Sequence, residues 1–368
     1  MKRINIQNKL LLALLLGASV SCKDLTELNE NPNGANPDLV NPNLVVPTVI
    51  TGTAIPYLDM SYQGDVAGVM QYVQKSGWGS GLNNFDWISE RSWSTYYNNL
   101  RDISHLQDRS ADEGYEFHQG VALILKAFNF GFIADGWGDA PYTNAVNGAT
   151  GGQGDMFPVF DSQEIIYKGI IENLERANTL LSRPAEAYTG IVQDADVLYG
   201  GNPLKWRKLA NSLALRYYMR VSSKLPDYAK AGIEEIVADP SAYPVFSSAD
   251  DDATMSYIGA STADSWPANT TYDASESNFS RIQLCAGFRD VLVELNDPRL
   301  EIWFNKVKVP IKVSKKYAPA TDTRVNGIRY LDPDYMAAHN MVIYNKNTWV
   351  ADVEAGKLVV DTMDYVGI

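Results

Sequence analysis

One segment limits the folds open to this chain more than any other. Residues 120–133, GVALILKAFNFGFI, are apolar on nearly every side of a helical wheel. A helix with one apolar stripe can lie on a surface, but one that is apolar all round must be enclosed by neighbours. The spacing elsewhere supplies such neighbours. Within 161–182, Ile166, Ile170, Leu174, Ala177 and Leu181 recur at helical intervals. Asp161, with Glu164 three residues on, reads as an N-cap with a capping-box-like partner. Within 203–225, Trp206, Leu209, Leu213, Tyr217 and Val221 define one face. Pro203 opens that helix and Pro226 is placed to stop it.

The centres of these helices lie roughly 42–44 residues apart, the spacing of stacked helix pairs. The expectation is a mainly α fold, with a tetratricopeptide-like helix-pair (α-solenoid) body, long irregular loops and a few short strands. Further helices are predicted over 61–78, 86–108 and 281–295, and strand-like pieces over 302–313 and 356–360. Gly, Ser, Thr, Asp and Asn dominate 247–280, the mark of a long loop.

Charge and cysteine content then remove several function classes. The chain carries 31 basic and 44 acidic residues, a net charge of −13. Such a surface repels phosphate backbones, so no nucleic acid is expected as a partner. The cysteines are Cys22 and Cys285, too few for a disulfide framework. Cys285 lies in the run IQLCAGF and reads as a small buried hydrophobe. Tyr (21) and Trp (8) are abundant, and these side chains suit surfaces that are both apolar and hydrogen-bonding.

The first 22 residues read as an address. Lys2, Arg3 and Lys9 form a basic region, Leu10 to Leu16 a short apolar run, and Gly17, Ala18, Ser19 and Ser21 the small residues near a cleavage site. That run is too short to span a bilayer. Cys22 directly after the small residues resembles a bacterial lipobox, which makes Cys22 the expected lipidation site. More than one acyl chain is needed for stable anchoring. The domain reading is therefore a lipoprotein signal peptide over 1–21, a lipid-anchored tether over 22–45 rich in Asn, Pro and acidic residues, and a body over 46–368.

Motifs for catalysis are missing from the sequence. It has no HExxH, G-x-S-x-G or GxxxxGK[ST] pattern, and His105, His118 and His339 lack metal-ligand spacing. No cofactor and no metal is expected. Asp135 and Asp139 in DGWGD could be drawn as a glycosidase pair, but two acids flanking Gly-Trp-Gly at a helix end are ordinary turn material. The run Asp250, Asp251, Asp252 lacks the spacing of a Ca²⁺ loop and reads as a solvated loop.

Several stretches together resemble the SusD/RagB family. ALILKAFNFGFIADGWGDAPYTNAV at 122–146 looks like that family's helix and Trp-Gly-Asp-x-Pro turn. DSQEIIYKGIIENLERANTLL at 161–181 and NPLKWRKLANSLALRYYMRVS at 202–222 are similar to its next helices, and NDPRL at 296–300 to another of its turns. The family's chains are usually longer, and the final DYVGI resembles an interior family segment, which implies a C-terminally truncated member.

The resemblance implies a surface lipoprotein of the outer membrane of Bacteroidetes. Such a protein captures an oligosaccharide, or in some members a peptide, and delivers it to a SusC-like TonB-dependent transporter; it catalyses nothing. The competing readings are a surface glycoside hydrolase and a protein-binding scaffold. Sugar rings call for flat aromatic platforms beside amides or carboxylates. The loop GWGSGLNNFDW at 77–87 has that make-up, with Trp78, Asn83, Asn84 and Trp87 as candidate ligand contacts. A second candidate, DSWPANTTYDASESN at 264–278, offers Trp266 and Tyr272. Trp93, Trp206, Tyr217 and Tyr218 fall at helical spacing and read as packing residues, and Trp137 as part of the turn.

Overall fold

The computed structural model describes residues 39–58, 60–61, 66–75, 92–258, 282–306 and 334, with strand segments at 311–313, 323–325, 328–331, 359–361 and 365–367. Its body is a run of helices: α1 (Pro42–Leu58), α2 (Ser94–Asp112), α3 (Glu116–Trp137), α4 (Gln163–Leu180), α5 (Pro203–Val221) and α6 (Pro226–Ala238). Each packs against the helix before it, and α3 also touches α1 and α5. The mainly α, helix-pair architecture read from the spacing therefore holds. α3 is the enclosed helix: Val121, Ala122, Ile124, Ala127, Phe130, Ile133 and Ala134 are fully buried. It is long and apolar enough to cross a bilayer, yet its apolar surface is spent on the body's own core.

The periodic faces bury as expected. Ile166, Ile170, Leu174, Ala177 and Leu181 of the α4 segment are buried, as are Trp206, Leu213, Tyr217, Tyr218 and Val221 of α5, while Leu209 of that face is half-buried. The helix ends differ from the sequence reading. Ser162, not Asp161, caps α4, its hydroxyl accepting from the Ile165 N–H at 3.4 Å. Asp161 is occupied elsewhere, and Glu164 pairs with Lys168 in place of the cap. Pro226 does not only end a helix; it stands in the first turn of α6, where its missing N–H costs nothing.

Two expected helices are corrected. Over 61–78 the described residues hold one turn of helix, Val66–Val69, and then strand β1 (Val73–Lys75). Gln71 at φ 57 breaks the helical path between them. Over 281–295 the chain begins as strand β2 (Ile282–Leu284) and becomes helical only at α7 (Ala286–Glu294). The region read as strand from 302 begins as a short helix, α8 (Arg299–Trp303). It continues as β3 (Asn305–Lys306) and β4 (Ile311–Val313). The remaining strands are β5 (Thr323–Val325), β6 (Ile328–Leu331), β7 (Val359–Asp361) and β8 (Tyr365–Gly367). β3 pairs with β8, and β5-β6-β4-β7 form one sheet in which only β4 and β6 run parallel.

α1 lacks a clear periodic signal because Pro47 and Pro56 lie inside it. Each removes one helical hydrogen bond. Packing holds the helix instead: Val46, Val49 and Ile50 are buried, and Thr53 joins three helices. The Thr53 hydroxyl donates to the Val49 carbonyl at 2.8 Å and accepts from Asn99 of α2 and Asn129 of α3, both at 2.9 Å.

Candidate functional site

The Trp-Gly-Asp turn closes the C-terminal end of α3. Gly138 leaves the helix at φ 83, a conformation open to glycine. Asp139 then accepts from the Gln163 N–H at 2.9 Å, while the Gln163 amide donates to the Ala134 carbonyl at 2.7 Å. Ala140 and Asp161 form a two-way backbone bridge, and the Asp161 carboxylate accepts from the N–H groups of Tyr142 and Thr143 at 3.1 and 2.7 Å. Asp135 takes the Arg220 guanidinium at 2.8 Å and a short hydrogen bond from the Tyr167 hydroxyl. Burial and that carboxylate push the Tyr167 phenol up to about 12. Asp139 thus holds the turn, as the turn reading expected, while Asp135 ties the end of α3 to α4 and α5.

Of the acidic run at 250–252, Asp250 and Asp252 are exposed as a solvated loop would have them, but Asp251 is buried and built into the scaffold, against that reading. Asp251 receives Lys208 at 2.8 and 2.9 Å together with the N–H groups of Ser247 and Ser248. Lys208 and those hydrogen bonds hold its carboxyl well below the usual carboxylate range. Among the described residues no group of three His, Cys, Asp or Glu side chains is placed to hold a metal ion.

Around the turn, aromatic rings run in an unbroken series. Tyr57 meets Phe128 and Phe132 at 5.3 and 5.4 Å, Phe132 meets Tyr96 at 5.3 Å, Tyr96 meets Trp137 at 5.6 Å, Trp137 meets Trp93 at 6.2 Å, and Trp93 meets Phe160 at 5.6 Å. Trp93 and Trp137 are half-buried here, in line with their reading as packing and turn residues. Beyond them Met156, Phe157, Val159 and Phe160 form an exposed apolar strip, Phe157 at 73%. Sequence reasoning missed this strip; its only signal was the run MFPVF inside an otherwise polar loop.

The candidate ligand residues Trp78, Asn83, Asn84, Trp87, Trp266 and Tyr272, and the lipidation residue Cys22, lie outside the described residues. Their flanks do not. β1 ends at Lys75, one residue before the segment that carries Trp78 and Trp87. β2 begins at Ile282, one residue after the segment that carries Trp266 and Tyr272. β1 and β2 pair antiparallel, with Lys75 opposite Ile282 and Val73 opposite Leu284. Opposed residues in such a ladder stand about 4.5–5.5 Å apart at Cα. Two aromatic segments far apart in sequence therefore share one root. A tilted contact between Tyr72 and Phe288 at 4.8 Å and a bond from the Cys285 N–H to the Tyr72 carbonyl at 3.1 Å fix that root to α7. Cys285 is half-buried here, not the core residue expected, because it precedes α7 at the end of the ribbon. Burial raises its thiol pKa.

Comparison with known proteins agrees with this architecture. Residues 46–347 match the model of a SusD-like family described as starch-binding and associating with the outer membrane. Among solved structures, the chain is similar to a Bacteroides vulgatus outer-membrane protein linked to nutrient binding (25% identity, TM-score 0.57). It is also similar to a chitin-binding SusD homologue of Flavobacterium johnsoniae (21%, 0.57) and a SusD homologue of Bacteroides fragilis (20%, 0.56). Each similarity covers 73% of this chain and 54–55% of the other, so the chain spans about half the length of the structures it matches. No curated protein matches it.

Proposed function

The chain belongs to the SusD/RagB family, in its SusD-like group, and from that membership we propose that it is a cell-surface lipoprotein that captures oligosaccharides and passes them to a SusC-like TonB-dependent transporter. The observation that carries the capture reading is the β1–β2 ribbon. It brings the flanks of the 76–91 and 259–281 segments side by side, and both segments have the composition of a sugar platform. In this reading Trp78, Trp87, Trp266 and Tyr272 stack on sugar faces, and Asn83 and Asn84 bond their hydroxyl edges. Cys22 carries the lipid, residues 1–21 are removed, and the stretch after Cys22 tethers the body to the membrane. That Asp139 is committed to the turn and Asp135 to Tyr167 and Arg220 weighs against hydrolysis by this pair. The chitin-binding relative favours a glycan over a peptide.

Calorimetry of the chain from residue 23 against glycan and peptide panels tests the proposal. Binding without product release is expected. Trp78→Ala and Trp266→Ala should each weaken it about tenfold, as loss of one stacked ring would. Because the two segments share a root, the double variant should fall short of the product of the single effects. Product release from any substrate would establish an enzyme instead. Independent effects of the two substitutions would place the two segments at separate sites.

A further inference from the structure

A buried side chain, Asn43, ties the N-terminal end of α1 to the body through hydrogen bonds. Asn43 uses its whole hydrogen-bonding capacity there. Its amide nitrogen donates to the Gly190 carbonyl at 2.7 Å and to Asn41 Oδ1 at 3.1 Å. Its Oδ1 accepts from the Val192 N–H at 3.2 Å and meets His118 Nε2 at 2.9 Å. The backbone partners fix which end of the amide is oxygen, since Val192 N–H can only donate and the Gly190 carbonyl can only accept. His118 Nε2 must therefore carry the proton. Its other nitrogen, Nδ1, is buried and has no hydrogen-bond partner. His118 itself is 1% exposed.

The surroundings hold this arrangement closed. The Tyr115 ring lies 5.3 Å from the imidazole and presses on Gly190, which stands at φ 80 where a Cβ would strike that ring. Charged groups give His118 little help in ionising. Asp196, from the loop beyond Val192, favours the imidazolium, but its carboxylate already accepts from the N–H groups of Leu198, Tyr199 and Gly201 and from the Trp206 indole at 2.7 Å. Glu116 is paired with Arg183 on the α3 side, and Arg109 of α2 with Asp112 and Glu113. α1 offers only the uncharged Asn43. A second proton, on Nδ1, would leave the Nε2–H bond to Asn43 in place but add a buried charge and a donor without an acceptor, a cost relieved only by opening the contact to water.

We propose that the Asn43–His118 pair is an acid-released latch, which pins the N-terminal end of α1 to the body while the buried imidazole is neutral and opens to water when a proton on Nδ1 makes burial of the charged ring unfavourable, the Nε2–H donor to Asn43 being unchanged by that proton. The inference does not depend on the ligand reading. Burial lowers the His118 pKa from 6.5 to about 4. Protons therefore favour the open form between those values. Linkage gives a rise in opening of about 20-fold from pH 7 to pH 5.

Hydrogen exchange of the full chain, corrected for the intrinsic pH effect, tests it. Peptides over 42–50 and 188–193 should lose protection by about that factor between pH 7 and pH 5, while those of α4 and α5 keep theirs. His118→Gln, whose amide donates without titrating, should abolish the pH dependence. Asn43→Ala should expose the same peptides equally at both pH values, and it serves as the test if His118→Gln does not fold. Unchanged protection in the wild type, a loss shared by all helices, or the same loss in His118→Gln would each overturn the latch.

Discussion

At the scale of single residues, the core is set by close approaches that only glycine permits. Gly131 on α3 faces the Tyr217 ring, and a Cβ there would collide with it. Tyr217 is buried between α3 and α4 and has nowhere to retreat. Gly136, one turn and a half further along, is different: its nearest neighbour would be the flexible Met60 methyl at 3.5 Å, an ordinary contact. The two positions share one helix and one residue type but should respond with opposite sign. Gly131→Ala should cost about 2–3 kcal/mol through overpacking. Gly136→Ala should gain up to about 1 kcal/mol through helix propensity. Urea unfolding of both variants checks the pair, and equal effects would mean that propensity, not the Tyr217 contact, governs the helix.

At the scale of elements, the polar joint between α1, α2 and α3 centres on one hydroxyl. Thr53 is the shared acceptor of the Asn99 and Asn129 amides. Thr53→Val keeps the shape and deletes the acceptor. It should cost about 2 kcal/mol, the penalty of leaving buried donors short of a partner, read as a lower urea midpoint with unchanged slope. The same joint explains why α1 was not legible in the sequence. Its two prolines erase the local signal, and the polar part of what holds it, an alcohol and two amides from helices tens of residues away, leaves no periodic mark. α3, α4 and α5 were legible because α3 is apolar on nearly every side and α4 and α5 each bury a long stripe, with Leu209 alone of the positions expected on those two faces left half-buried. α6 was missed because Pro226 reads equally as an end and as a first turn. At the candidate site the aromatic composition of 77–87 and 264–278 was visible in the sequence. The pairing of Lys75 with Ile282 was not, since three-residue strands show no alternation and their partners lie some two hundred residues apart.

At the scale of the whole molecule, these buried groups decide how stability answers to pH. His118 has a folded pKa lowered to about 4 by burial, so the unfolded chain takes up a proton first as pH falls below 6.5. Stability should be level above that value and decline between 6.5 and 4, by about 2 kcal/mol at pH 5. The carboxylates act lower. Lys208 and hydrogen bonds from Ser247 depress Asp251, and Arg299 holds Asp297 at about 2. For a depressed acid the stabilisation is present above the unfolded value of 3.8 and is lost as pH falls through the folded one. The acid profile should therefore have two limbs, one of a single proton above pH 4 and a steeper one below it. Urea unfolding at intervals from pH 7 to pH 3 resolves them. His118→Gln should flatten the upper limb and leave the lower one in place. Lys208→Met should make the lower limb shallower and leave the upper one in place, because it removes the cation that depresses Asp251 while Asp297 stays paired with Arg299. An upper limb that survives His118→Gln would assign that proton to another group, and the acid response of α1 would then need a different origin from the Asn43 contact.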